Sequence, residues 1–377
     1  MNVLVSPNAF KGNLDARQVA QALTEGLLRA NPSLDVVQLP IADGGEGTVD
    51  ILVEATGGKR IEVETTNAIG EAITAHYGIL ADGNTAVLEM AAASGLGQLT
   101  LDQRSPMKAS TFGTGLLVKD ALDKGCRRII LGLGGSATTD AGTGILRALG
   151  IKFLNVSGFE VTDGGGGFAF LETIDISGLD PRVAECEIIL PCDVRNPLLG
   201  EDGSAAVFSP QKGATPAQTE RLEENLTHFT EIVKKTLHKE IGDMPHGGAA
   251  GGTAAGLYAF LNARLTSGID FLLEQIDFNK NLKDTNLLIT AEGRLDSQSL
   301  EGKGPYGVAR RAAERGIPAV CVTGGFAVGL EHKVEDVFHT IFAIPTEPMP
   351  LELAKEKAHE LIAFTGWQIG KMLALKS

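Results

Sequence analysis

Both ends of this chain are written in one grammar: a short β-branched run, a glycine-rich or polar loop, then a segment of helical period. At the start, Val3, Leu4 and Val5 lead into the turn chemistry of residues 6–13 (SPNAFKGN). Residues 15–29 then place Val19, Ala20, Leu23, Leu27 and Leu28 at helical spacing. Residues 36–41 predict a strand, 42–47 (ADGGEG) a loop, and 48–55 a helix that stops before Gly57 and Gly58. At the far end, 287–290 (LLIT) predicts a strand and 291–304 a polar loop. Pro305 sits at the first position of a helix running to Arg315, with Gly316 behind it. Strands at 319–322 and 337–344 and a final helix over 351–375 complete the pattern. Such alternation predicts βαβ units and a parallel sheet, built jointly by the two ends.

The middle reads differently. Residues 60–80 alternate with period two around Gly70, which predicts a hairpin, and 85–90 predicts its third strand. The fold class is therefore α/β: a Rossmann-like parallel-sheet domain from residues 1–60 and 286–377, interrupted by an inserted mixed α/β domain over 61–285 with an antiparallel hairpin. The length of 377 residues accommodates two such domains.

Composition removes several functions. The formal net charge is −14 and no lysine- or arginine-rich block occurs, which argues against nucleic-acid binding. No apolar run approaches the roughly 18 residues of a membrane span. The start, MNVLVSPNAFKG, has neither a basic n-region nor a long apolar h-region, so a cytoplasmic protein is expected. The four cysteines form no CxxC pair, and the seven histidines show no HExxH or HxH spacing. Buried free thiols are expected rather than a zinc site. The oligomeric state stays open, a homo-oligomer included.

In an open parallel sheet, ligands bind outside the C-terminal strand ends. Three loops leave such ends here. The first carries Asn8 and Lys11, the second Asp43 and Glu46, and the third Glu292, Arg294, Asp296 and Lys303. This mixture of carboxylates and cations suits phosphoryl transfer, which wants cations on phosphates, carboxylates for a metal, and a carboxylate near the attacking hydroxyl. Hydride transfer has less need of so many carboxylates.

One stretch is ambiguous. Residues 132–144 (GLGGSATTDAGTG) follow a predicted strand at 127–131 and precede a predicted helix at 144–149. They fit a loose dinucleotide pattern, but no acidic residue ends a clean strand about 20 positions later, and no GxxxxGK[ST] occurs in the chain. Two readings remain. Gly134, Gly135, Ser136 and Thr138 form an anion cradle at a helix start, or the glycines serve close packing at a capped helix.

Taken together, the motifs resemble the bacterial glycerate kinases of the type that forms 2-phosphoglycerate. The resemblance rests on SPNAFKG (6–12), PIADGGEGT (40–48), TFGTG (111–115), the stretch at 132–144, CDVRNPLLG with VFSPQKGA (192–214), and AEGRLDSQSLEGKGPYGVA (291–309). They stand in the family's order along nearly the whole chain. Asn8, Thr139 and Ala291 depart from residues common in the family. The resemblance implies ATP and a divalent metal, D-glycerate as acceptor, and an active site in a cleft of a two-domain α/β fold. Transfer to the 3-hydroxyl, a nicotinamide-dependent 2-hydroxy-acid oxidoreductase and a non-catalytic sugar-acid sensor are the alternatives.

On that reading, Arg294 or Lys303 orients the glycerate carboxylate, arginine offering the bidentate fork. Asp296 is the first candidate for the base that takes the hydroxyl proton, and Asp193 the second. Lys11 neutralises a phosphate. Asp43 and Glu46 are the candidate Mg²⁺ ligands, with a helix N-cap as the structural alternative for Glu46. Gly134, Gly135, Ser136 and Thr138 cradle a phosphate or substrate anion.

Overall fold

A computed structural model describes residues 1–42, 44–296, 304–327 and 329–375. Its strands in chain order are β1 (Asn2–Val5), β2 (Asp35–Gln38), β3 (Lys59–Thr66), β4 (Ala72–Ile79), β5 (Thr85–Glu89), β6 (Arg128–Gly132) and β7 (Lys152–Leu154). They continue as β8 (Thr173–Asp175), β9 (Glu187–Pro191), β10 (Arg264–Thr266), β11 (Leu287–Glu292), β12 (Ala319–Thr323) and β13 (Thr340–Ala343). The chain divides into two compact units, Met1–Asp43 with Ile269–Ser377, and Gly44–Gly268.

The first unit is built on a sheet of order β13-β12-β11-β1-β2, parallel throughout. β1 lies between β2 and β11, so the two chain ends meet at the sheet centre: Val3 is opposite both Val36 and Leu287. The ladder runs on past the strand, with Ser6 N–H donating to Ile289 O and Asn8 N–H to Ala291 O, both at 2.8 Å. The central strands are apolar because both their faces are covered; Val3–Val5, residues 287–291 and residues 319–323 are all buried.

The helix Ala16–Ala30 starts at a reciprocal capping box between Asp15 and Gln18 and buries Val19, Ala20, Leu23 and Leu27. It packs against the helix Ala358–Ala374. A Cβ on Gly26 would lie 2.0 Å from Ala363 O, so only glycine allows this approach. Between β11 and β12 runs the helix Gly304–Ala313, with Pro305 in its first turn, where a missing N–H costs nothing. The expected single helix over 351–375 is two, Leu351–Glu356 and Ala358–Ala374. Lys357 at ψ 8° separates them. The division falls where burial begins: the first piece buries no residue, while the second buries Ala358, Leu361 and Ile362.

The second unit carries a mixed sheet of order β10-β9-β6-β5-β4-β3. β10, β9, β6 and β5 are parallel, and β3, β4 and β5 are the expected antiparallel meander. Gly70, at φ +86°, turns the hairpin. The unit runs over 44–268 rather than the expected 61–285, so both edges lie earlier in the chain, for a physical reason at each. The helix Thr48–Thr56 packs on β3, β4 and β5 rather than on the first sheet. At the other edge the cut at Gly268 leaves Asp270 in the first unit, where it accepts from Arg311 Nη2 at 2.9 Å and from Arg310 Nη2 at 3.3 Å. Among the described residues no helix is long and apolar enough to cross a membrane. The four cysteines are free thiols; Cys126, Cys192 and Cys321 are buried and Cys186 half-buried.

Candidate active site

In the first unit the chain moves from β1 to β2 on one side and returns through β11, β12 and β13 on the other. The crevice at such a reversal is where open α/β sheets hold ligands. A pocket of about 420 Å³ lies there, lined by residues that follow β1, β11, β12 and β13 and by the helices after residue 350. Its size is in the range of a nucleotide-sized ligand.

Local packing explains how the charged groups reach it. Phe10 is buried, and its carbonyl accepts from Asn13 N–H at 2.9 Å and Leu14 N–H at 3.1 Å. Gly12, at φ +74°, completes the turn, which leaves Lys11 exposed on it. After β11, Leu295 is fully buried, its N–H donates to Gly325 O at 2.9 Å, and its carbonyl accepts from Ala327 N–H at 3.0 Å. Leu295 thus pins the loop by its side chain while its neighbours Arg294 and Asp296 line the pocket. Arg294 Nε lies 3.8 Å from Asp296 Oδ2. The lining holds three cations, Lys11, Arg294 and Lys355, and two carboxylates, Glu292 and Asp296. Of the expected site residues, Lys11, Arg294 and Asp296 are therefore brought together. Lys303 and Asp43 lie outside the described residues.

Glu46 and Asp193 belong to the second unit. Glu46 is exposed, and it does not cap the helix beside it. Gly47 is the N-cap residue, and the carboxylate of Glu89, at the end of β5, accepts from Val49 N–H at 2.7 Å and Gly47 N–H at 3.3 Å. Burial pushes the Glu89 carboxyl up to about 7, against the pull of those two N–H groups; the charges of Asp50 and Glu46 add to the rise. Asp193 follows β9, and its carboxylate accepts from Gly268 N–H at 2.7 Å. No group of three or more potential metal-ligating His, Cys, Asp or Glu occurs among the described residues. Mg²⁺ needs only one or two protein carboxylates, so an exposed Glu46 fits its oxygen chemistry.

The glycine stretch after β6 proves to be a closed network. Gly134 N–H donates to Gly44 O at 3.1 Å, and a Cβ on Gly134 would lie 2.6 Å from the Gly45 Cα. Asp140 is wholly buried at the start of the helix Thr143–Ala148. Its carboxylate accepts from Thr111 N–H and Thr111 Oγ1 at 2.8 Å, and from Gly142 and Gly144 N–H at 3.2 Å. Burial raises its pKa, and these four donors oppose the rise. The position a dinucleotide pyrophosphate takes at a helix start is therefore held by the protein's own carboxylate. Ser136 and Thr138 are buried around Lys212, whose Nζ donates to Thr138 O at 2.5 Å and Ser136 Oγ at 3.2 Å. Gly135 is the exposed part of the turn and Gly134 is half-buried, so what the stretch offers a ligand is backbone.

Lys212 and Asp140 were not among the candidate residues. Lys212 is 2% exposed, and burial pushes its ammonium down to about 8 while the Asp140 charge pulls it back up. Its signal in the sequence was its seat between Pro210 and Gly213 in VFSPQKGA, which reads like any loop lysine until its partners 74 and 76 residues away are known.

A family model described as the glycerate kinase family matches residues 3–374. The glycerate kinase of Bacillus subtilis (strain 168) is 42% identical over 375 residues, spanning 100% of this chain and 98% of the relative. The glycerate 2-kinase of Escherichia coli (strain K12) is 42% identical over 379 residues, with the same coverage of 100% and 98%. A crystal structure from Salmonella typhimurium LT2, of a protein carrying a provisional glycerate kinase 2 description, has a TM-score of 0.86 at 41% identity. It matches over 100% of this chain and 99% of that one.

Proposed function

Since the chain belongs to the glycerate kinase family, we propose that it transfers the γ-phosphoryl group of ATP to the 2-hydroxyl of D-glycerate, giving 2-phosphoglycerate and ADP. The observation that carries this reading is the convergence of Lys11, Arg294 and Asp296 on one pocket at the C-terminal edge of a parallel sheet. The preference for the 2-hydroxyl rests on the Escherichia coli relative, which is named a 2-kinase.

Asp296 accepts the proton of the 2-hydroxyl as its oxygen attacks the γ-phosphorus and the bond to the β-phosphate oxygen breaks. Arg294 holds the glycerate carboxylate through its planar fork, and Lys303 is the second cation proposed for that task. Lys11 neutralises phosphate charge. Bound with ATP, Mg²⁺ supplies further charge neutralisation, with Asp43 and Glu46 its proposed carboxylates. Gly134 and Gly135 are proposed to meet phosphate through backbone, with Ser136 and Thr138 acting indirectly by seating Lys212. Asp193, whose carboxylate is engaged by Gly268 N–H, is the lesser candidate for the base. We place the enzyme in the cytoplasm, where its free thiols stay reduced.

Coupled ADP release with Mg-ATP and D-glycerate, with the product identified by phosphorus NMR, tests this reading. 2-Phosphoglycerate is the expected product. 3-Phosphoglycerate overturns the position of transfer. A folded protein that binds the acid without releasing ADP is a sensor rather than a kinase.

A further inference from the structure

We propose that the pocket of the first unit seats the adenine and ribose of ATP against an apolar wall formed by Ile344, Pro345, Leu351, Ala354 and Ala358, with the phosphates led toward Lys11. This rests on the kinase reading above and extends it to the nucleotide.

The first argument is chemical. Glycerate carries an oxygen on every carbon, so it gains nothing from an apolar wall, whereas a purine ring buries apolar surface there. The second is that the fold covers only part of this wall: Ile344 and Ala358 are buried, whereas Pro345 and Leu351 are exposed and Ala354 is half-buried. The helix Leu351–Glu356 buries none of its residues, and Leu351 is 68% exposed, yet Leu351 and Ala354 both line the pocket. A bound planar ring accounts for an apolar face that the fold itself leaves uncovered. The third argument is shape. Gly293 and Gly324 contribute bare backbone to the lining, and a Cβ on Gly324 would lie 2.5 Å from Gly293 O. Packing of the two loops thus requires glycine at 324, and the pocket meets backbone rather than side chain at both positions.

The wall is also tied to the phosphate side. Asn13 Nδ2 donates to Lys355 O at 3.1 Å, which joins the helix Leu351–Glu356 to the turn that carries Lys11. Base and phosphates are therefore met by two elements held in register by one hydrogen bond.

The test is calorimetric titration of the full chain, in separate runs with Mg²⁺, with ADP, with tripolyphosphate and with D-glycerate. Ala354→Phe fills the space of the ring and is expected to weaken ADP about tenfold or more, leaving tripolyphosphate unchanged. Leu351→Ser, at an exposed position that cannot disturb the core, is expected to weaken ADP about threefold with the same selectivity. ADP binding that neither variant alters overturns this inference and leaves the kinase reading standing. So does loss of D-glycerate affinity in place of ADP affinity. A wild-type chain with no affinity for ADP overturns both.

Discussion

The loop after β11 and the loop after β6 look alike as sequence, each polar, glycine-bearing and set between a strand and a helix, yet they close in opposite ways. After β6 the charged groups turn inward. Asp140 is wholly buried among four donors, and Lys212 crosses from a distant turn to hold Thr138 and Ser136. After β11, among the described residues of the loop, only Leu295 is buried, and Asp296 keeps a side chain 37% exposed beside Arg294 on a pocket. The difference teaches where the chemistry sits. A charge already satisfied by the protein holds architecture, and a charge presented to a cavity is available to a ligand.

That contrast can be broken at several points. The largest effect among the closed-loop residues is expected at Asp140. Asp140→Ala strips the acceptor from three backbone N–H groups and a hydroxyl, and is expected to cost on the order of 4 kcal/mol in urea unfolding. A loss under about 1 kcal/mol would mean that water reaches this network and that it is open after all.

Lys212 gives a smaller effect with a signature in pH. Its folded pKa, about 8, lies below the ordinary 10.5, so the unfolded chain holds the extra proton between those values. Stability from this group therefore rises as pH increases through that window, by up to about 3 kcal/mol. Unfolding of the wild type and Lys212→Met, compared at pH 7.5 and pH 10, should show that rise in the wild type alone. Parallel pH dependences would mean that the ammonium is not buried as described.

On the open side, Lys11→Ala should raise the KM for ATP about tenfold, or about 1.4 kcal/mol, while leaving the unfolding midpoint in place. Lys11 is exposed on its turn, so a drop in stability would give it a structural role instead. Raising the salt concentration should shrink this difference, because exposed charges are screened.

The sequence was legible wherever burial is local. Val3 to Val5 and the LLIT run name their strands, Gly70 marks its hairpin, and the stripe Val19–Leu23–Leu27 names its helix, because each pattern records one element's own exposure. Lys11, Arg294 and Asp296 could be placed on one sheet edge from topology alone. What could not be read was partnership across the chain. The helix Thr48–Thr56 carries an apolar face but no mark of which sheet will cover it. Asp140 and Lys212 look solvated in one dimension, since the groups that bury them come from residues about 30 and 75 positions away. The break at Lys357 was hidden because both flanking pieces are helical by propensity and only packing separates them.

The most direct test of the claim that chemistry belongs to the pocket of the first unit is kcat for Asp296→Asn and Asp193→Asn, measured side by side with Mg-ATP and D-glycerate. The account predicts that Asp296→Asn loses about 10² to 10⁴ in kcat with a modest change in KM, and that Asp193→Asn loses less than about tenfold. An Asp296→Asn enzyme at wild-type rate, beside an Asp193→Asn enzyme that has lost turnover, would contradict it and move the base to the loop after β9.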